Sequence, residues 1–204
     1  MSTDINIANH KFSWINESEV KITDDKIAIF APEKTDYFND PVLRDGVFPK
    51  PIANAPLLYT ELTGDFVFTV KTTPTFKTFA DAGCIMIYEN DYVWGKLCFE
   101  KSDMPGDKPA IVSVATNITS DDVNSLDLDV DSVYLRAARV DQTIALYYSL
   151  DGKTFVLVRL FSIPMGDTIK IGLVSQAPTG EAKWHEFSEL EITPIRIENL
   201  RQGI

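Results

Sequence analysis

The stretch "DAGCIMIYENDYVWGKLCFE", Asp81 to Glu100, reads as two strands around a turn, and its two faces differ in kind. Successive side chains of a strand point to opposite faces. In the second arm Val93, Gly95, Leu97 and Phe99 therefore share one side, while Tyr92, Trp94, Lys96, Cys98 and Glu100 share the other. If the turn is centred near Asp91, Ile85 and Ile87 join Leu97 and Phe99 on a wholly apolar face. Cys84, Met86 and Tyr88 then join the Trp94 row. The apolar face suits the interior between two sheets. The mixed face carries an aromatic plate, an ammonium and a carboxylate, which suits a ligand surface. Truncating Trp94 is then expected to cost less stability than truncating Leu97.

Outward from this hairpin, strand signals dominate the chain. "FSWI", "KIAIFA", "LLYTEL", "DFVFTVKT", "AIVSVATN", "VYLRAARV", "TIALYYSL", "TFVLVRLF", "IKIGLVSQ" and "AKWHEFSELEIT" are rich in β-branched and aromatic residues. Turn chemistry separates many of them, as in "VDQT", "DGK", "PMGD" and "APTGE". About a dozen strands without a long amphipathic helix imply a sandwich or barrel. No fixed-period repeat supports a propeller. The exception to regularity is "TDYFNDPVLRDGVFPKPIANAPLL", from Thr35. A connection that long in a compact domain is functional or disordered, and its aromatics argue against full disorder.

With 204 residues the chain suits one all-β domain, residues 1–204, large enough to bury a core without metal or disulfides. Asp4 and Asn6 lie where a signal peptide needs an apolar run, and no apolar segment is long enough to span a bilayer. A cytoplasmic protein is expected, with Cys84 and Cys98 reduced. A net charge of −11 argues against nucleic-acid partners, which call for concentrated positive charge.

The order of segments carries a resemblance. "FSWINESE", "TDYF", "GDFVFTV", "DAGCIMIY", "WGKLCFE", "VATNITSDD", "LRAARV", "YYSLDGKTF" and "GLVSQAPTGEAKWHEFSELEI" follow one another between about Phe12 and Thr193. This resembles the concanavalin A-like family of unknown function that includes the fungal protein named for regulation of enolase. The resemblance implies a jelly-roll sandwich of two antiparallel sheets, one of them concave, and no established reaction. It also implies a cluster from "TDYF", the acid of "DAG", and the Trp, Lys and Glu of "WGKLCFE". Where many relatives carry a serine-aspartate-tryptophan run, this chain reads "ITSDDV", so an aromatic wall is expected to be missing.

The expected ligand site therefore comprises Trp94, Lys96 and Glu100 as its floor, with Asp36, Tyr37, Asp81, Tyr88 and Arg136 around it. A tryptophan ring can stack on a sugar's C–H face while Lys and Glu bond hydroxyls. A carbohydrate or small polar metabolite is the expected ligand, with no cofactor. An adaptor for a metabolic enzyme is the rival reading, and a glycoside hydrolase a third. Hydrolysis needs two carboxylates at set spacing; Glu100 is the best acid, with Asp36 or Asp81 as partner. No dense Glu-x-Asp-x-Glu row occurs, and neither His10 nor His185 sits in a nucleophile-base motif. Asp127, Asp129 and Asp131 alternate and would share a face if extended, which leaves calcium open although no EF-hand pattern is present.

Overall fold

A computed structural model describes residues 5–102 and 108–204. Seventeen strands run in chain order: β1 (Ile5–Ile7), β2 (His10–Ile15), β3 (Val20–Ile22), β4 (Lys26–Ala31), β5 (Tyr37–Phe38), β6 (Ile52–Ala53), β7 (Leu57–Thr63), β8 (Phe66–Thr73), β9 (Ala82–Asn90), β10 (Val93–Lys101), β11 (Pro109–Asn117), β12 (Thr119–Asp127), β13 (Val133–Val140), β14 (Thr143–Ser149), β15 (Val156–Ser162), β16 (Thr168–Gln176) and β17 (Lys183–Thr193). Eight form one sheet in the order β1-β2-β7-β16-β9-β10-β11-β12. Seven form the second, β15-β14-β13-β8-β17-β4-β3, and β5 and β6 pair separately. All pairings are antiparallel, and the result is a jelly-roll sandwich, as the strand pattern and the resemblance led us to expect.

The central hairpin has the expected register. Lys96 lies opposite Met86, Leu97 opposite Ile85, and Cys98 opposite Cys84. Ile85, Ile87, Leu97, Phe99 and Ile111 meet Phe66, Phe68, Val70, Leu135, Leu146 and Phe187 of the other sheet in the main core. Gly95 belongs to this inner face: an added Cβ there would come within 2.6 Å of the Phe161 ring. That clearance explains a glycine within a strand otherwise built from bulky residues.

The opposite face of β9, β10 and β11 forms a second buried cluster. Cys84, Met86, Trp94, Cys98, Val112 and Val114 lie there with Leu57 of β7, beneath Tyr37 and Ala55. The irregular stretch from Thr35 is therefore a cover folded over the sheet. Asn16 fastens it from β2's end, donating to Tyr37 Oη and to the carbonyls of Ala53 and Ala55. Asn39 fastens it to the hairpin tips: its Nδ2 donates to the carbonyls of Asp91 and Ile118, and its N–H to Ser120 Oγ.

The region around β12 adds to the sequence reading. "TSDDVNSLD" forms β12, the edge strand, although Asp, Asn and Ser are poor strand formers. It is drawn out by pairing with β11, from Ala110–Asp127 to Asn117–Thr119. The three aspartates are not one extended row, because β12 ends at Asp127 and Asp129 pairs with Lys108 at 3.2 Å. Among the described residues no three His, Cys, Asp or Glu side chains converge as metal ligands, and no helix is long and apolar enough to cross a membrane.

Candidate functional site

Part of the mixed face borders a pocket after the cover has folded down. The pocket, of about 290 Å³, lies over β10, β11 and β12. Lys96, Glu100, Val112, Val114 and Asp122 form its floor and one side. Asp36 and Phe38 come from the cover; Phe79 and Ala80 from the loop before β9; Gln176, Pro178 and Thr179 from the end of β16. The two rim loops are joined where Thr179 Oγ1 donates to the Phe79 carbonyl.

Lys96 organises this floor. It is only 3% exposed, and its Nζ donates to Asp36 Oδ1 at 3.2 Å, the Tyr37 carbonyl at 3.0 Å and Gln176 Oε1 at 2.9 Å. An ammonium has three protons, so its donor capacity is matched by protein acceptors. Burial pulls its pKa down, but Asp36 and further acidic neighbours outweigh that and hold the ammonium charged. Gln176 extends the network, donating from Nε2 to the Ala80 carbonyl at 3.1 Å. Ala80 has a φ of 66°, a left-handed conformation that aims this carbonyl inward.

Sequence reasoning placed Lys96, Glu100 and Asp36 together, and all three border the pocket. Trp94, Tyr37 and Tyr88 need a correction of role. Trp94 is 0% exposed, with Tyr37 edge-on against it at 6.1 Å between ring centres and also edge-on to Trp94's cross-strand neighbour Tyr88 at 6.2 Å. Tyr37 is equally buried, and Tyr88 donates to Asp91 Oδ1 at 2.6 Å. The expected stacking plate is thus packed under the cover. Its side of the strand was read correctly, but alternation says nothing about a distant segment landing on that side.

Asp81 is also not on the pocket wall. Fully buried, it accepts from the backbone N–H groups of Lys77 and Thr78, from Thr78 Oγ1 and from the Lys183 ammonium. It shapes the loop that presents Phe79 and Ala80. Arg136 lies farther away, on the second sheet, where its guanidinium sits 3.4 Å from the Phe155 ring centre and donates to Thr69 Oγ1. Arg139, on the other side of β13, donates to the carbonyls of Asp141, Gly166 and Asp167. Neither arginine lines the pocket, because β13 belongs to the opposite sheet.

Nine pocket residues lay outside the expected site, among them Phe38, Phe79, Asp122 and Gln176. Phe79 is 47% exposed, so an aromatic surface does reach solvent here, from a loop and not from β10. Gln176 was legible in principle, being in step with Val174 on the covered face. Asp122 was hidden with the unrecognised strand. Burial against the pocket raises its carboxyl above the ordinary range, with Lys96 partly offsetting that and Asp36 adding to it.

Comparison with known proteins comes at the level of family and fold. The model of the family described as "Protein of unknown function (DUF1349)" matches residues 14–195. No curated protein matches the chain. Among solved structures, a functionally unknown protein from Saccharomyces cerevisiae superposes with a TM-score of 0.77 at 25% identity, covering 91% of this chain and 97% of that one. A carbohydrate binding module, CBM66 from Bacillus subtilis, gives 0.56 at 10% identity, with 95% and 98% covered. A bifunctional GH43-CE protein of Bacteroides eggerthii gives 0.68 at 15%, covering 91% of this chain but 24% of that one. The last two likenesses are of fold.

Proposed function

We propose, on the premise that this chain belongs to the DUF1349 family of proteins of unknown function, that it is a non-catalytic binding protein for a carbohydrate or sugar-like metabolite. The observation that carries this reading is the pocket itself. Apolar and aromatic surface from Phe38, Phe79, Val112, Val114 and Pro178 faces polar groups from Asp36, Glu100, Asp122 and Gln176. Saccharides present that same combination, with C–H faces that stack on rings and hydroxyls that bond carboxylates and amides. The fold shared with a carbohydrate binding module agrees with it. Binding is favoured over hydrolysis because Asp36 is engaged by Lys96, which withdraws one of the carboxyls a glycosidase pair would use. A reducing cytoplasmic setting fits the free, buried Cys84 and Cys98.

Titration with a panel of neutral oligosaccharides, read by backbone amide NMR, tests the proposal. Shifts should centre on Phe79, Glu100, Val112 and Asp122, and Phe79→Ala and Glu100→Gln should each weaken them. Shifts confined to another face, or none at all, would remove the reading.

A second reading, an adaptor for a metabolic enzyme of the enolase kind, draws on a different surface. Val42, Leu43, Val47 and Phe48 are exposed together on the cover, around the Arg44–Val47 bridge. Protein-protein contacts use such apolar tips. Loss of enolase binding in Phe48→Asp, with sugar binding intact, would favour it.

A further inference from the structure

We infer that the pocket discriminates by charge, admitting uncharged and amine-bearing saccharides while rejecting sugar phosphates and uronates, with Asp122 as the residue that selects the amine. This rests on the carbohydrate reading above and narrows its ligand class.

The inference follows from the balance of charges around the pocket. Three carboxylates border the pocket, Asp36, Glu100 and Asp122, against one ammonium, Lys96. That ammonium lies under the floor with its three hydrogen bonds directed to Asp36, the Tyr37 carbonyl and Gln176. An incoming phosphate or carboxylate would have to displace one of these acceptors to be held. It would also approach carboxylates at close range, which disfavours an anion. Arg159, a further cation near β12, is engaged outside the pocket. It pairs with Asp121 at 2.9 Å and donates to the carbonyls of Ser113 and Asp121.

Asp122 gives the positive half of the inference. It projects from β12, opposite Val114, into the side of the pocket that the cover leaves open. Among the described residues it makes no ion pair, and it stays exposed on its strand. An ammonium on a ring stacked against Phe38 or Phe79 would match it. The two aromatic faces would themselves favour a cation.

Glucose, glucosamine, glucose 6-phosphate and glucuronate differ chiefly in charge, and titrating each against the full chain at low salt provides the test. Amide shifts of the pocket residues should give glucosamine an affinity about two- to fivefold above glucose, the size expected of one solvent-exposed charge contact. The two anions should bind more weakly than glucose. Added salt should shrink the glucosamine preference, and Asp122→Asn should bring the glucosamine-to-glucose ratio toward one. Glucose 6-phosphate binding in this pocket as tightly as glucose would overturn the inference and leave the carbohydrate reading standing. So would a ratio unchanged in Asp122→Asn. No pocket response to any of the four sugars would sink both.

Discussion

Lys96 on β10 and Asp36 in the cover stand 60 residues apart in sequence and form an ion pair of 3.2 Å, with the lysine side chain 4% and the aspartate 23% exposed. The pair joins the sheet to the segment laid across it. It also makes the two partners unequal, because water can reach one of them and scarcely the other.

Loss of Asp36 should therefore be costly. Asp36→Ala leaves a buried ammonium with two neutral acceptors, and removing one partner of a buried pair costs ~3–5 kcal/mol. Urea unfolding should show a loss of that size. A change below about 1 kcal/mol would mean that the pair does not hold the cover down.

Trp94 now makes a different prediction from the one its strand face suggested. Burial beneath Tyr37 makes Trp94→Ala a core truncation, costing ~3–5 kcal/mol, comparable to the ~2–5 kcal/mol of Leu97→Ala. In a Trp14→Phe, Trp184→Phe background, Trp94 fluorescence should be blue-shifted and resist acrylamide until the protein unfolds. Ready quenching in the native state would place the ring in the open groove after all.

His185 should govern part of the acid response. It is buried, and its tautomer is set by two bonds: Nδ1 accepts from the Thr75 N–H, leaving Nε2 to donate to the Gln176 carbonyl. Burial brings its pKa down to about 4, against the pull of that carbonyl. The unfolded chain, near the ordinary histidine value of about 6.5, takes up the proton first. Stability is therefore full above about pH 6.5 and falls as pH drops toward 4, by about 3 kcal/mol from this residue. His185→Gln should flatten the stability curve between pH 4.5 and 6.5. An unchanged slope would assign the acid loss to other groups.

The paired thiols give a simpler test. Cys84 and Cys98 face each other across β9 and β10, free and buried, and burial together with the neighbouring thiol raises the pKa of Cys98. Both effects suppress the thiolate that reacts. A thiol reagent should modify neither cysteine in the native protein and both after denaturation. A disulfide-linked peptide from the native protein's digest would contradict the reduced state.

The family resemblance pointed to the jelly-roll sandwich; the residues alone determined an all-β sandwich or barrel, the register of the β9–β10 hairpin and the division of Leu97 and Phe99 from Trp94, Lys96 and Glu100. Those follow from a period of two and from local turn chemistry, which short windows carry. The sequence also drew attention to the irregular stretch from Thr35 and to Asp36, but not to where that stretch lands. The tertiary structure decided that Tyr37 covers Trp94, that Asp81 shapes a loop, and that Arg136 belongs to the other sheet. It also made a strand of "TSDDVNSLD" and so brought Asp122 to the pocket beside Phe38, Phe79 and Gln176. The physical reason is that alternation fixes a side chain's direction relative to its own strand. What lies in that direction depends on partners tens of residues away, whose pairing and burial no short window encodes.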